Sequence, residues 1–281
     1  MAERRPRTVS IALPSSLVSE HNHLRDKTRT LGAIARAASI YRVEQIYLYI
    51  DQPDESHLMK EILTYIETPQ YLRKRLFKKK PELAFAGLLP PLRAAHHTLV
   101  KRSKSIPIGT HREGVVLSEY SGEYLVDIGV EHPIHVYGRS PSIGSRVTVE
   151  VTDRNPLKGK FSGRKGVPEY WGYRVLTTRH SLEGLLKKYD FDLKIAASKN
   201  GVEYNYVVER LKESWLHSSN ILLAFGSPRK GLVDMLMKQN RALDTVFDYN
   251  INMIPRQGCA TVRTEEALHA SLAILNLIDS D

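Results

Sequence analysis

Three loops in the C-terminal third of the chain hold residues whose types and spacing could bind a small molecule. Each loop follows a short apolar stretch: residues 198–201 follow LKIAA, residues 226–231 follow NILLAF, and residues 251–258 follow a predicted strand at 245–250. The loops are rich in Gly, Ser, Asn and Pro. Open parallel sheets bind ligands at the carboxyl ends of their strands, so three such loops could converge on one ligand. Taken singly, each loop is more often an ordinary turn than a ligand site.

The middle loop excludes two common nucleotide sites. Gly226 and Gly231 have the spacing of the first part of a phosphate-binding P-loop, but Leu232 and Val233 stand where that motif needs Lys and Ser or Thr. A triphosphate and its magnesium ion would have no ligands there. No G-x-G-x-x-G follows a predicted strand, so a Rossmann dinucleotide site is also excluded.

The elements that must position these loops follow two different patterns. Residues 8–13 and 45–50 are predicted strands, and residues 21–40 and 54–66 are predicted helices, an order that favours a parallel sheet. Between residues 93 and 165 the helical periodicity stops. Short strands are predicted at 115–117, 124–130, 134–137 and 146–151, separated by Gly and Pro turns, and a polar linker at 155–167. The second pattern resembles OB-fold and S1-type barrels, although such barrels also dock proteins.

The charge of the chain favours a polyanionic partner. Lys and Arg number 41 against 31 Asp and Glu, giving a net charge of +10. Binding to phosphates is favoured because it releases condensed counterions. In residues 71–80 (YLRKRLFKKK), aromatic and apolar residues alternate with cations, which is typical either of a solvated face or of a nucleic-acid contact. The candidate contacts are Arg73, Lys74, Arg75, Lys78, Lys79 and Lys80.

The third loop leads into a final helix. Thr264 is a plausible N-cap, and Glu265 and Glu266 complement the helix dipole. In residues 254–267 (IPRQGCATVRTEEA) the sequence resembles the C-terminal knot of the SPOUT RNA methyltransferases, and AFGSPRKGL matches their second cofactor loop. The nearest subgroup is that of the archaeal and eukaryotic RNA uridine-N3 methyltransferases. The resemblance covers nearly the whole chain in organisation and is specific in the C-terminal third.

This resemblance implies a fold and a domain division. The fold is a SPOUT α/β-knot domain, with a mostly parallel sheet and a C-terminal trefoil knot, into which a small OB/S1-like β-barrel is inserted. Residues 1–90 and 167–281 would form the two parts of the knotted domain, and residues 91–166 the RNA-binding barrel. True knots are otherwise almost absent from proteins, so this fold would be an exception to a strong rule.

The resemblance also implies S-adenosylmethionine as cofactor, a homodimer, and ribosomal or transfer RNA as substrate, with uridine N3 as the favoured acceptor. The alternative is a non-catalytic RNA-binding or ribosome-associated protein that keeps the same fold. The residues expected around the cofactor are Ser198, Asn200, Gly201, Gly226, Ser227, Pro228, Gly231, Asn252, Met253, Ile254, Gly258, Thr261 and Val262.

Arginines on the second and third loops are the candidates for catalysis. Methylation of a uracil N3 requires loss of a proton, and a nearby cation would stabilise the resulting anion. Arg263 is the first choice because it lies beside the start of the final helix, and Arg229 and Arg256 are the others. The competing interpretation of Arg263 is a salt bridge to Glu266.

Several other residues are expected to be structural. His96 with His97, and His132 with His135, lack Cys or evident carboxylate partners, so solvated histidines are expected and no metal site. Cys259 is expected to be a small buried residue, and the two tryptophans, Trp171 and Trp215, core or dimer anchors. No stretch approaches the ~18 apolar residues that span a bilayer, and no signal sequence is evident, so a cytoplasmic location is expected.

Overall fold

The computed structural model of the protein describes residues 3–138, 142–237 and 242–278. The helices are α1 Leu24–Ile40, α2 Ser56–Glu67, α3 Gln70–Leu76, α4 Leu182–Lys188, α5 Val208–His217, α6 Leu232–Met237 and α7 Thr264–Ile278. The strands are β1 Thr8–Pro14, β2 Gln45–Tyr49, β3 His111–Tyr120, β4 Glu123–Asp127, β5 Ile134–Tyr137, β6 Arg146–Arg154, β7 Leu157–Ser162, β8 Arg174–Thr177, β9 Leu193–Glu203, β10 Asn220–Phe225 and β11 Tyr249–Asn252. No helix of the described ranges is both long enough and apolar enough to cross a bilayer.

The chain divides into two compact units. The barrel unit comprises residues 65–81 and 91–172 with the segment before residue 5, and the α/β unit comprises residues 5–64, 82–90 and 173 onward. Residues 65–81 belong with the barrel because Tyr71 packs there. Its hydroxyl donates to the Glu113 carbonyl at 2.9 Å, and its ring lies 2.2 Å from where a Cβ on Gly129 would stand. Contacts therefore place residues 65–81 in the barrel unit, whereas the sequence predicted that they belong to the first part of the knotted domain.

A six-stranded sheet in the order β11-β9-β10-β1-β2-β8 forms the centre of the α/β unit. All of its strand pairs are parallel, as predicted from the alternation of strands and helices. The central strands are buried on both faces, which explains why β1 and β10 read as continuous apolar runs rather than as alternating ones. Because the strands are parallel, the carboxyl ends of β9, β10 and β11 lie along one edge of the sheet.

Helices cover the sheet and fix the positions of its strand ends. Leu182 and Leu185 of α4 and Leu236 of α6 join one apolar cluster with side chains of the sheet. Helix α7 packs against α1, where the rings of Tyr41 and His269 meet edge-on with centroids 5.2 Å apart. The last helix is therefore tied to the first helix of the unit.

The last strand begins later than the sequence indicates. Residues 245–250 were expected to form it, but β11 spans Tyr249–Asn252 and residues 243–245 form a 3-10 turn. Val246 and Phe247, which gave the segment its apolar character, pack from a turn into the apolar cluster that α6 shares with the sheet. Periodicity alone does not distinguish such a buried turn from a strand.

The barrel unit is a closed five-stranded barrel in the order β3-β4-β5-β7-β6. Its interior contains mainly valine and isoleucine side chains, among them Val126, Ile134, Val136 and Val149, which are fully buried. The sequence predicted a small barrel from these short alternating strands, and the barrel is present. Closure leaves the sheet without an unpaired edge, at which another chain could pair.

The strand that closes the barrel was mistaken for a linker. Residues 155–167 were expected to be a polar connection, but β7 spans Leu157–Ser162 and pairs with both β5 and β6. Lys158 and Lys160 alternate with the inward Gly159, whose missing Cβ would stand 2.7 Å from the Glu150 carbonyl. Inward and outward positions do alternate in this segment, but glycine occupies an inward position where an apolar side chain would have indicated a strand.

A buried ionic cluster joins the barrel to the segment at residues 65–81. Glu67 is 3% exposed, and its carboxylate accepts hydrogen bonds from Arg146 at 2.6 Å and Arg164 at 3.3 Å. His96, expected to be solvated, is 1% exposed and lies 3.2 Å from the same carboxylate. That expectation was wrong because the partner, Glu67, is distant in sequence. The arginines hold the pKa of Glu67 well below its usual range despite its burial.

His97 makes the stability of this unit depend on pH. Its Nε2 lies 2.7 Å from the Glu67 carbonyl oxygen, and burial, with the neighbouring His96, lowers its pKa from 6.5 to about 4. The unfolded chain therefore binds more protons between pH 4 and 6.5, so the free energy of unfolding falls as pH falls through that window. This change in pKa corresponds to a loss of about 3 kcal/mol.

Fluorescence can isolate this effect, because Trp171 lies in the barrel unit and Trp215 in the α/β unit. In a Trp215→Phe background, urea unfolding followed through Trp171 should lose stability between pH 7 and pH 5. Replacing His97 by Gln should flatten that slope, whereas His132→Gln, at an exposed position, should not. An unchanged slope in His97→Gln would contradict the assignment.

Candidate functional site

A cavity of about 350 Å³ lies at the carboxyl ends of β9, β10 and β11. A volume of this size is within the range of small-molecule sites. The structure brings together all the predicted cofactor residues except Gly201 and Gly258. Those that line the cavity are Ser198, Asn200, Gly226, Ser227, Pro228, Gly231, Asn252, Met253, Ile254, Thr261 and Val262.

A bulge in β9 forms the first wall. Ala196 pairs with Asn250, but the next pair is Val202 with Ile251, so the intervening residues of β9 have no partner in β11. These residues, 197–200, face the cavity. Gly201 has a different role: a Cβ there would stand 2.7 Å from the backbone of Asn250 and Ile251, so glycine is needed for the strands to approach.

The loop at residues 226–231 forms the second wall and is held by its own hydrogen bonds. The Ser227 amide donates to the Lys230 carbonyl at 2.9 Å, and the Lys230 amide donates to the Ser227 hydroxyl at 3.1 Å. A Cβ on Gly226 would stand 2.8 Å from the Lys230 carbonyl, which explains the glycine. The buried Tyr49 hydroxyl donates to the Phe225 carbonyl at 2.7 Å and fixes the strand end before the loop.

Residues 252–262 form the third wall. The Asn252 side chain accepts from the Ile254 amide at 3.0 Å and donates to the Lys199 carbonyl at 3.1 Å, linking this wall to the first. Gln257 donates to the Cys259 carbonyl at 2.8 Å. Gly258 lies off the cavity, and Cys259 is exposed, so the expectation of a buried cysteine was wrong.

Helix α7 forms a fourth wall that sequence reasoning missed. Thr264, Ala267 and Ser271 line the cavity. Their spacing of three and four residues places them on one face of the helix. This face adjoins the buried stripe of Leu268, Leu272 and Leu275. In the sequence, the small or polar residues next to that stripe are the signal that could have identified this wall. Ala267 leaves room where a larger side chain would project into the cavity.

Cations lie at the exposed side of the cavity. Arg229 is exposed and lines it, and Lys230 lines it with its Nζ 3.5 Å from the Asp51 carboxylate. Arg263 is exposed and does not line it, nor does Arg256. The Glu266 carboxylate accepts from the Arg263 backbone amide at 3.0 Å, in the manner of a capping box. Arg229 is therefore the candidate arginine that the structure places at the cavity.

The predicted nucleic-acid contacts have different environments. Arg73 donates to the carbonyls of Thr68 and Ile66 and lies 4.7 Å from the centre of the Tyr65 ring, so it supports the fold. Arg75 pairs with Asp127. The side chains of Lys74, Lys78 and Lys79 are exposed, and Lys80 is half-buried.

The parallel sheet with a loop-walled cavity at its strand ends defines an α/β protein with a site for a small organic ligand, accompanied by a β-barrel. The chain belongs to the family described as "Putative RNA methyltransferase", whose profile matches residues 8–275. It is therefore an RNA methyltransferase, an enzyme that needs a methyl donor and an RNA acceptor.

Relatives align over nearly the whole chain. An uncharacterized protein of Halobacterium salinarum is 34% identical over 97% of this chain and 100% of its own length. The 28S rRNA (uridine-N(3))-methyltransferase of Drosophila melanogaster is 30% identical over 96% of this chain and 62% of its own length. The human protein of the same name is 29% identical, with 96% and 78% covered.

Proposed function

We propose that this protein transfers a methyl group from S-adenosylmethionine to N3 of a uridine in ribosomal RNA. The observation that carries the proposal is the cavity at the ends of β9, β10 and β11, in which three predicted cofactor loops meet. The names of the relatives from fly and human, which specify uridine N3 of 28S rRNA, support the choice of acceptor.

The residues present fit S-adenosylmethionine. Met253, Ile254 and Val262 provide an apolar surface for the adenine, while Ser198, Asn200 and Asn252 provide polar atoms. In addition, the buried Ser271 hydroxyl on this cavity has no hydrogen-bond partner among the described residues. A binding site of few polar groups in an apolar cavity is the usual arrangement for such ligands.

The cofactor supplies an activated methyl group on a sulfonium. The task of the chain is to place the acceptor in line and to exclude competing water. The Arg229 guanidinium, at the cavity edge, would stabilise the negative charge that the uracil ring acquires when its N3 proton leaves. The half-buried pair of Lys230 and Asp51 holds the loop that carries Arg229.

The proposal includes a SPOUT-type trefoil knot and a homodimer. The path of the chain is compatible with the knot: it leaves β10, passes through α6, places β11 beyond β9, and ends in α7 against α1. Measurement of the mass of the protein in solution tests the dimer. A monomer at micromolar concentration would contradict that part.

A methylation assay tests the proposal as a whole. The protein is incubated with labelled S-adenosylmethionine and ribosomal RNA from a strain that lacks the gene, and the nucleosides are identified by mass spectrometry. We expect 3-methyluridine. Cofactor binding without any methylated nucleoside would favour the alternative, a non-catalytic RNA-binding protein, and failure to bind the cofactor would refute the site.

The basic segment gives a separate test of RNA binding. Replacing the exposed Lys78 and Lys79 by alanine should weaken RNA binding and reduce the slope of log affinity against log salt by about 1 to 2, since each phosphate contact contributes roughly 0.7–0.9. The matched control is Lys187 and Lys188, an equally exposed adjacent pair on α4. Filter binding at several salt concentrations measures both. Equal slopes for the two double variants would exclude residues 78–79 from the interface.

A further inference from the structure

Ser271 is a buried polar residue on the wall of the cavity. It belongs neither to the three loops nor to the basic segment at residues 71–80. It lies on α7 at 1% exposure, and its hydroxyl has no hydrogen-bond partner among the residues described. Buried hydroxyls normally have a partner, so an orphan one calls for an explanation. Ser271 also lines the cavity, which supplies a place for the missing partner.

Comparison with other buried serines makes the position of Ser271 informative. Ser10 on β1 also has a buried hydroxyl without a partner in the described part of the chain, and it is fully buried. Ser10 does not line the cavity. The position of Ser271 on the cavity wall, together with its unpaired hydroxyl, therefore distinguishes it from Ser10.

Ser271 is as buried as the most buried residues of the cavity wall, and this burial indicates which part of a ligand it would meet. Phe225 and Leu232, which also line the cavity, are almost completely buried, whereas Asn200 and Arg229 are exposed. A flat base with apolar faces gains the most binding free energy in the buried part of a cavity, because its faces leave water there. The charged amino-acid group of a ligand loses the least hydration at the exposed part of the cavity, where water still reaches it.

We infer that the Ser271 hydroxyl forms a hydrogen bond with the adenine of the bound cofactor. The inference rests on the proposed S-adenosylmethionine site and adds a base-recognising residue on α7 to the three loops. Ala267, one helical turn earlier on the same face, provides the space that lets the base approach the hydroxyl.

The experiment compares Ser271→Ala with Ser10→Ala by titration calorimetry with two probes. These are S-adenosylmethionine and methylthioadenosine, which keeps the adenine but lacks the amino-acid group. Loss of one hydrogen bond should weaken both probes by the same factor, about 3- to 15-fold, in Ser271→Ala only. The melting temperature of each variant without ligand is measured as a control for folding, and Ser271→Cys, nearly the same size, replaces an alanine variant that fails to fold.

The outcomes distinguish failure of the Ser271 contact from failure of the proposed cofactor site. Unchanged affinity for both probes in a folded Ser271 variant overturns the inference and leaves the cofactor site intact. Weaker binding of S-adenosylmethionine alone also overturns it, because the hydroxyl would then contact the amino-acid part. If the wild-type protein binds neither probe, the proposed function itself fails.

Discussion

Replacing Ala267 by phenylalanine should abolish binding of S-adenosylmethionine, with a loss of affinity of at least about 100-fold. Ala267 lines the cavity from α7, between Thr264 and Ser271 on the same helix face. A phenylalanine side chain there would occupy space that the ligand needs. Helix α7 itself should persist, because the buried residues Leu268, Leu272 and Leu275 that attach it are untouched.

The matched control for this variant is Ala270→Phe. Ala270 is also half-buried on α7 but does not line the cavity. In a thermal-shift assay, a ligand at 100 times its Kd stabilises the folded state by about 2.7 kcal/mol. We expect that stabilisation in the wild type and in Ala270→Phe, and at most about 0.4 kcal/mol in Ala267→Phe. A folded Ala267→Phe variant that binds with wild-type affinity would place the cofactor elsewhere.

The sequence contained enough information for the sheet and for the loops that line the cavity. The strands β1, β2 and β10 are short apolar runs bounded by turn residues, and buried parallel strands need no long-range information to be recognised. The second and third loops directly follow β10 and β11, and the first is a bulge within β9. Their convergence then follows from the geometry of a parallel sheet rather than from any contact that sequence alone would reveal.

Features that depend on distant partners were missed. The cluster around Glu67 joins Glu67, His96, Glu113, Arg146 and Arg164, which no periodic pattern connects. The same cause explains why Ser271 was overlooked. On α7 it reads as one more residue beside the apolar stripe, and only the folded chain places it on the cavity wall.

Replacing Arg229 by alanine should reduce kcat by about 10²- to 10³-fold, the loss seen when one group that stabilises a developing anion is removed. Affinity for S-adenosylmethionine should change little. Arg229 is expected to act on the acceptor base from the exposed edge of the cavity. Arg263→Ala should have the smaller effect, because Arg263 does not line the cavity.

The dependence of kcat on pH distinguishes this role from binding of an RNA phosphate. Without the guanidinium, the uracil gives up its N3 proton less readily, so the rate of Arg229→Ala should keep rising at pH values where the wild type has reached its plateau. Arg229→Lys retains a cation and should recover part of kcat. If Arg229→Ala instead raises KM for RNA while kcat and its pH profile stay unchanged, Arg229 binds the substrate only. If Arg263→Ala shows the loss in kcat, the cation comes from the start of α7.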